Sequence, residues 1–242
     1  MRAAQTDKNG DRFRRQRVLT VLIALTVLFA SLWLASGMGS GAAPTLAPST
    51  RTCLILDPGH GGIDGGAIAY NGVKESDLNL AIALKLRDLA DFYGISTALT
   101  REDDSRRTDL LSYSEHEDLV WRAEQINAVD AGFCLSIHQN TFPTSQPSGA
   151  QVLYGAGEES RRLGACIQNC IVTYLQPDNR RLAEPASKGL YLPSHVDCPF
   201  ALVECGFLSN LTDLQDLSRD NYQKSFAAVL LCACLQYMDG EA

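Results

Sequence analysis

The feature that most constrains this chain is the segment LILDPGHGGIDGG at residues 54–66. Its apolar start predicts a buried strand, and Pro58 predicts the strand end because proline cannot donate to a central sheet ladder. His60 therefore follows the strand end, which is the edge where open α/β sheets bind ligands. The five glycines of this loop allow the backbone to approach a ligand closely. Taken alone, the segment also fits a phosphate-binding loop or a plain strand-to-helix turn.

Apolar strand patterns alternate with helical patterns after this loop. Helices are predicted over residues 75–93, 117–129, 158–175 and 221–238. Further strands are predicted over residues 95–101, 133–138, 150–154, 190–192 and 200–204. Such alternation is typical of a single α/β domain with a mostly parallel, twisted sheet and helices on both faces. We therefore predict one folded domain over residues 52–242.

The N-terminal residues differ in composition from this domain. Residues 1–17 are polar and basic, and residues 18–36 carry no charge and are mostly apolar. Their length is close to the ~20 residues that cross a bilayer, and the arginines before them predict a cytoplasmic N-terminus. We expect a transmembrane anchor, with a cleaved signal segment as the alternative, and a flexible linker over residues 37–51. The domain is then extracytoplasmic, held at the cytoplasmic membrane or secreted.

Charge and cysteine content narrow the function classes. The net charge is -7, and no basic surface is evident beyond the N-terminus, so the sequence argues against a nucleic-acid partner. Eight cysteines in an exported protein can indicate disulfides. Most of them fall inside predicted strands or helices, where cysteine is a small buried hydrophobic residue. We therefore expect free thiols, and we expect a monomer.

Two histidines and two glutamates are predicted to converge at one rim of the sheet. His60, His138 and Glu204 stand at strand ends, and Glu75 opens the first helix. Two imidazoles and one carboxylate with an open position form the ligand set of a catalytic zinc ion. The second carboxylate can then act as a general base and acid in amide or ester hydrolysis. Taken singly, Glu75 also fits a carboxylate that complements a helix dipole, and His138 fits a core histidine.

Four motifs follow one another in the chain. They are DPGHGG at 57–62 with Asp64, Lys74-Glu75, SIH at 136–138 with Asn140, and VECGFLSN at 203–210. In this order they resemble the zinc-dependent N-acetylmuramoyl-L-alanine amidases over about residues 52–238. The resemblance implies that His60, Glu75 and His138 bind one Zn²⁺ ion and that Glu204 is the catalytic carboxylate. It also implies the substrate, which is the amide bond between N-acetylmuramic acid and L-alanine in peptidoglycan.

The layout looks most like the germination-specific amidases of spore formers. A predicted anchor precedes a bare catalytic domain, and the interval from His138 to Glu204 leaves no room for the autoinhibitory helix of cell-division amidases. The segments SGAQ at 148–151 and GLYL at 189–192 add to the likeness. The resemblance implies removal of stem peptides so that muramic-δ-lactam forms in spore cortex, in the forespore intermembrane space. Whether the enzyme needs an activating protein partner stays open at this point.

Three further residues are candidate contacts around the site. Arg101 is predicted to end a strand, where it meets either a substrate carboxylate or an acidic neighbour. Asn140 can orient His138 or bind substrate, and His195 is a surface residue or a substrate contact. The sequence leaves three alternative functions: a general cell-wall amidase in growth or division, a zinc exopeptidase, and a non-catalytic peptidoglycan-binding protein.

Overall fold

The structure of the chain is a computed structural model that describes residues 52–104 and 114–240. The predicted basic tail (1–17), membrane segment (18–36) and linker (37–51) lie outside these residues. Residues 105–113 lie outside them as well. Within the two described ranges, no helix is both long enough and apolar enough to cross a membrane.

The described residues contain six strands that form one mixed sheet. The strands are β1 (Cys53–Pro58), β2 (Thr97–Leu99), β3 (Gly132–Asn140), β4 (Gln151–Tyr154), β5 (Glu184–Pro185) and β6 (Phe200–Phe207). Their order in the sheet is β2-β1-β3-β6-β4-β5. The first four strands in this order are parallel, as predicted, whereas β4 runs antiparallel to β6. The antiparallel pairing places the beginning of β4, rather than its end, beside the end of β6.

Helices cover both faces of the sheet, as predicted. They are α1 (Glu75–Phe92), α2 (Glu115–Asn127), α3 (Glu158–Tyr174), α4 (Leu192–His195), α5 (Leu211–Leu217) and α6 (Asp220–Asp239). One face packs on α1, α3 and α6 through fully buried side chains such as Ile82, Leu163 and Leu230. The other face packs on α2 and α4 around Ile55 and Phe200. Each buried side chain of this kind contributes about 1.5–3 kcal/mol to stability.

The strand predicted at residues 190–192 is wrong. The chain there enters the short helix α4, and Pro193 lies in its first turn, where the missing N–H of proline leaves no bond unmade. Leu192 packs into the core on the α2 side, which explains the apolar pattern. The strand in this part of the chain is instead β5, a two-residue edge strand that pairs with β4.

Helix α5 follows β6 directly and was not predicted. The side chain of Asn210 caps it by accepting hydrogen bonds from the N–H groups of Thr212 and Asp213. An N-cap of this kind satisfies backbone donors that the first helical turn leaves unpaired. The helix packs through Leu214 and Leu217, which are buried.

The three central strands end at one edge of the sheet. In the register of β3 and β6, His138 lies opposite Glu204. Cys134 and Leu202 of the same strands pack against α2 and α4. Since strand side chains alternate between faces, His138 and Glu204 lie on that same face. The sheet therefore places both side chains together before any loop contributes.

Candidate active site

His60 leaves β1 in a backbone conformation that most residues avoid. Its φ is 62°, in the left-handed region where non-glycine residues are uncommon. The Nδ1 atom of His60 lies 2.7 Å from Oδ2 of Asp64. Its Nε2 atom lies 3.3 Å from Oε1 of Glu75. Asp64 therefore fixes the ring so that Nε2 faces the first residue of α1.

Glu75 is the buried centre of the cluster, with 4% of the residue exposed. Its Oε1 atom lies 3.0 Å from Nδ1 of His138 and accepts the backbone N–H of Gln139 at 3.1 Å. Its Oε2 atom accepts the N–H of Ala67 at 2.9 Å. Burial acts to raise the pKa of Glu75, but the hydrogen bonds and charges of His138 and His60 outweigh it and hold the pKa far below its usual range. The carboxylate is therefore ionised at neutral pH.

The side chains of His60, Glu75 and His138 form a group with the donor atoms of a metal site. One ligand atom from each lies within 4.8 Å of the other two. Burial acts to lower the pKa of His60, but the hydrogen bonds and charges of Glu75 and Asp64 raise it to about 9. The cluster thus favours a positive charge between these groups, and a divalent cation can take the place of the proton.

Two glycines give the ligand side chains room to converge. A Cβ atom at Gly59 would lie 2.2 Å from Nε2 of His138, and one at Gly66 would lie 2.7 Å from Oε2 of Glu75. Any side chain at either position would displace one of these groups. Two imidazole nitrogens and one carboxylate oxygen, with the two histidine side chains partly exposed, match the three protein ligands of a catalytic zinc ion. The residues present therefore fit zinc.

Glu204 stands beside this group with one oxygen uncommitted. Its Oε2 atom is buried and has no hydrogen-bond partner among residues 52–104 and 114–240. Burial raises the pKa of Glu204 to about 7, and the charge of Glu75 adds to this effect while His138 and His60 oppose it. A carboxyl group in this state can take up and release a proton near neutral pH.

The other three candidate residues occupy different places. Asn140 ends β3 at the same rim, after a bulge in its pairing with β6, and its Oδ1 accepts the N–H of Thr141. His195 is exposed on α4, where its ring stacks on Tyr191 at 3.8 Å between centroids. Arg101 is buried behind the loop that follows β1 and donates to the carbonyls of Pro58 and Gly59. The cluster thus contains four of the predicted residues, while Arg101 supports it from behind.

A buried ion pair below the site was not predicted. The carboxylate of Asp57 accepts hydrogen bonds at 2.7 Å from Arg122, Ser136 and Thr100. Arg122 also pairs with Asp118, one turn earlier in α2, at 2.7 Å. The sequence signal was a pair of opposite charges, four positions apart, next to the apolar residues Ala123 and Ile126 of the helix. Charged residues are rarely fully buried unless they are paired.

Comparison with known proteins extends these observations. The sequence profile described as N-acetylmuramoyl-L-alanine amidase matches residues 54–234. The germination-specific N-acetylmuramoyl-L-alanine amidase of Bacillus subtilis is 34% identical over 199 residues, which cover 80% of this chain and 83% of that protein. The residues matched by the profile, 54–234, contain all six strands except Cys53, the first residue of β1. They also contain His60, Glu75, His138 and Glu204.

Solved structures share the fold. The CwlD amidase of Clostridioides difficile, solved in complex with the GerS lipoprotein, aligns with a TM-score of 0.72 and 34% identity over 78% of this chain and 99% of its own. An N-acetylmuramoyl-L-alanine amidase of Clostridium difficile 630 aligns with a TM-score of 0.70 and 27% identity over 79% of this chain and 98% of its own. These chains extend little beyond the aligned domain.

Proposed function

The chain belongs to the N-acetylmuramoyl-L-alanine amidase family and is an enzyme of that class, and we propose that it uses one zinc ion to remove stem peptides from spore cortex peptidoglycan. The observation that carries the zinc proposal is the convergence of His60, Glu75 and His138 beside the unpaired oxygen of Glu204. The cortex role is supported by the likeness to the germination-specific amidase.

The proposed ligands are the Nε2 atom of His60, the carboxylate of Glu75 and the Nδ1 atom of His138. When bound, zinc supplies a Lewis acid that polarises the scissile carbonyl and makes hydroxide available near neutral pH. Asp64 keeps the ring of His60 in the binding orientation, since carboxylates hydrogen-bonded to a ligand histidine fix its tautomer. Glu75, at the first position of α1, supplies the negative charge of the ligand set.

Glu204 moves the proton in this proposal. Its Oε2 atom takes a proton from the attacking water as the new C–O bond forms. The same carboxyl group then gives the proton to the nitrogen of the leaving L-alanine as the C–N bond breaks. The products are the free lactyl carboxylate of muramic acid and a stem peptide with a free amino terminus. Burial holds the pKa of Glu204 above the ordinary carboxyl value, which favours both transfers, because a base and acid works best when its pKa lies near the operating pH.

The open side of the cluster gives a polymer access. The side chains of His60 and His138 are 27% and 19% exposed, whereas that of Glu75 is 5% exposed. The ligands therefore meet solvent on the histidine side. A Cβ atom at Gly61 would lie 2.9 Å from Nε of Arg101, and one at Gly66 would lie 2.7 Å from Oε2 of Glu75, so these glycines let the loop beside His60 pack closely on the site.

We also propose that a protein partner assists the enzyme outside the cytoplasmic membrane. CwlD, which is 34% identical over 78% of this chain, was solved with the GerS lipoprotein. A lipoprotein and a peptidoglycan amidase share one compartment, since the substrate lies beyond the cytoplasmic membrane. The N-terminal apolar segment at residues 18–36 is consistent with that location.

The amidase activity and its metal dependence are tested with the full chain and purified peptidoglycan. We expect new amino-terminal L-alanine without new reducing sugar ends. A chelator should abolish the release because it removes the metal ion that acts as the Lewis acid. Added Zn²⁺ should restore the release. Binding to peptidoglycan without release would instead indicate a non-catalytic binding protein. Cleavage of free peptides alone would indicate an exopeptidase.

The cortex role is tested in a spore-forming host that lacks the gene. We expect cortex muropeptides to lose muramic-δ-lactam, because the lactam can form only where the stem peptide has been removed. The measurement is mass spectrometry of digested cortex, with a strain complemented by the wild-type gene as the control. Unchanged lactam together with chains of unseparated vegetative cells would instead favour a general cell-wall amidase.

A further inference from the structure

Two buried arginines hold the segment that carries His60. Arg101 donates from Nε to the carbonyl of Pro58 at 2.9 Å and from Nη2 to the carbonyl of Gly59 at 3.1 Å. Arg122 donates from Nη1 to the carbonyl of Pro58 at 2.9 Å and from Nη2 to the carbonyl of His60 at 2.6 Å. Three successive carbonyl groups at the exit of β1 are thus bound by guanidinium groups.

Each arginine also connects this segment to a second element. The Nη2 atom of Arg101 donates to the carbonyl of Ser76 at 2.9 Å, next to Glu75 in the first turn of α1. Arg122 belongs to α2 and joins Asp57 of β1 to Asp118 of its own helix. The side chain of Arg122 is only 3% exposed. The two guanidinium groups therefore link the β1 exit to the first turn of α1 and to the middle of α2.

We propose that Arg101 and Arg122 are positioning residues, which set the affinity of the metal site by holding His60 and the first turn of α1 in the binding geometry. This inference rests on the proposed zinc site. His60 has a left-handed backbone, a conformation that persists only when the surroundings impose it. The two arginines donate hydrogen bonds to the carbonyl groups of Gly59 and His60, which flank the N–Cα bond of His60. These hydrogen bonds impose the left-handed conformation here.

The shape of the arginine side chain explains why this residue type is needed. A guanidinium group presents five N–H donors in a fixed plane, whereas a lysine ammonium group is a compact charge with three. Arg122 reaches Asp57, Asp118, Pro58 and His60 at once. A lysine keeps the charge beside Asp57 but cannot span these acceptors. Lysine substitution therefore removes the positioning and keeps the ion pair.

The test is the zinc affinity of the full chain with Arg122→Lys, measured by competition with a chromophoric chelator. We expect the dissociation constant to rise about 10–100-fold, the range found when residues that orient metal ligands are replaced. With Co²⁺ as the probe, we expect a shifted visible absorption spectrum, because the geometry at His60 changes. Denaturant unfolding of the metal-free proteins separates these effects from a loss of stability.

Arg162→Lys is the matched control. Arg162 also donates to a backbone carbonyl, that of Tyr237 at 2.9 Å, and pairs with Glu159. It joins α3 to α6, on the other face of the sheet. We expect its zinc dissociation constant to stay within twofold of the wild type and its Co²⁺ spectrum to be unchanged.

A folded Arg122→Lys protein with wild-type zinc affinity and spectrum would overturn the inference. If Arg122→Lys does not fold, Arg101→Lys carries the test with the same expected loss and the same overturning result, because it leaves the Asp57–Arg122 pair intact. His138→Ala distinguishes the two levels of proposal. If the wild type binds zinc no better than His138→Ala, the proposed metal site fails, whereas equal binding by wild type and Arg122→Lys overturns only the positioning role.

Discussion

Glu204→Gln should lower the rate of amide hydrolysis by about 10²–10⁴-fold, the usual contribution of a general acid–base residue. Glutamine has nearly the same shape as glutamate but cannot take a proton from water. Because Glu204 is not one of the three proposed ligands, zinc binding and the free energy of unfolding should change little. The measurement is the initial rate of L-alanine amino-terminus release from peptidoglycan, at equal zinc content.

Glu184→Gln is the control for this substitution. Glu184 is an exposed glutamate of β5, so its loss should leave the rate of release unchanged. A Glu204→Gln enzyme that keeps more than a tenth of the wild-type rate would exclude Glu204 as the proton carrier. Loss of zinc from this variant would instead assign Glu204 to the ligand set.

Asp57→Asn should reduce the free energy of unfolding by about 3–5 kcal/mol, the usual cost of breaking a buried ion pair by removing one partner. Asp57 is fully buried, and the substitution removes one of the two carboxylates that pair with Arg122. Asp118 still balances the charge of Arg122, so the cost comes from an amide N–H₂ group placed where Arg122, Ser136 and Thr100 all donate. Urea unfolding of the metal-free full chain measures the change.

The same pair predicts how stability depends on pH. Burial acts to raise the pKa of Asp57, but the charge of Arg122 and the hydrogen bonds from Ser136 and Thr100 lower it below the ordinary value. A carboxyl with a lowered folded pKa contributes stability above its unfolded pKa of about 3.9, and this contribution is lost as the pH falls through the folded pKa. The difference between wild type and Asp57→Asn should therefore be constant above about pH 5 and shrink in stronger acid.

Asp88→Asn serves as the control for both measurements. Asp88 pairs with Arg87 at the surface and its side chain is 68% exposed, and exposed pairs of this kind contribute little to stability. Its unfolding curve should follow that of the wild type at every pH. A pH-independent difference between wild type and Asp57→Asn, extending below pH 3, would contradict the ionised state of Asp57.

The central cluster could be predicted from the sequence because its chemistry coincides with strand ends. Apolar runs locate β1, β3 and β6, with predicted ends at His138 and Glu204, whereas β3 and β6 continue to Asn140 and Phe207; His60 follows β1 as predicted. Parallel pairing, which follows from the alternation of strands and helices, then brings them to one edge. The pattern of strands alone does not indicate which of these residues bind zinc and which one carries the proton. The resemblance to the family motifs indicated these roles.

Other features leave no pattern that a sequence can show. At the exit of β1, Arg101 and Arg122 bind backbone carbonyl groups, which every residue has, so their proposed positioning role depends on tertiary contacts. The antiparallel direction of β4 could not be predicted either, because a short strand of mixed burial can pair in either direction. The pattern at residues 190–192 was ambiguous because three to four apolar positions fit both a strand and a helical turn.

The order of the strands in the sheet has a consequence for the timing of activity. His60 follows the first strand and Glu204 lies in the last, and β3, which carries His138, lies between those strands in the sheet. Pairing of such distant segments comes late, because a long loop must close first. The three residues of the cation-binding group come with β1, α1 and β3, whereas Glu204 comes with β6, so a chain in which β6 has not docked lacks the proton carrier. Hydrolysis by the proposed mechanism therefore requires that the last strand has docked.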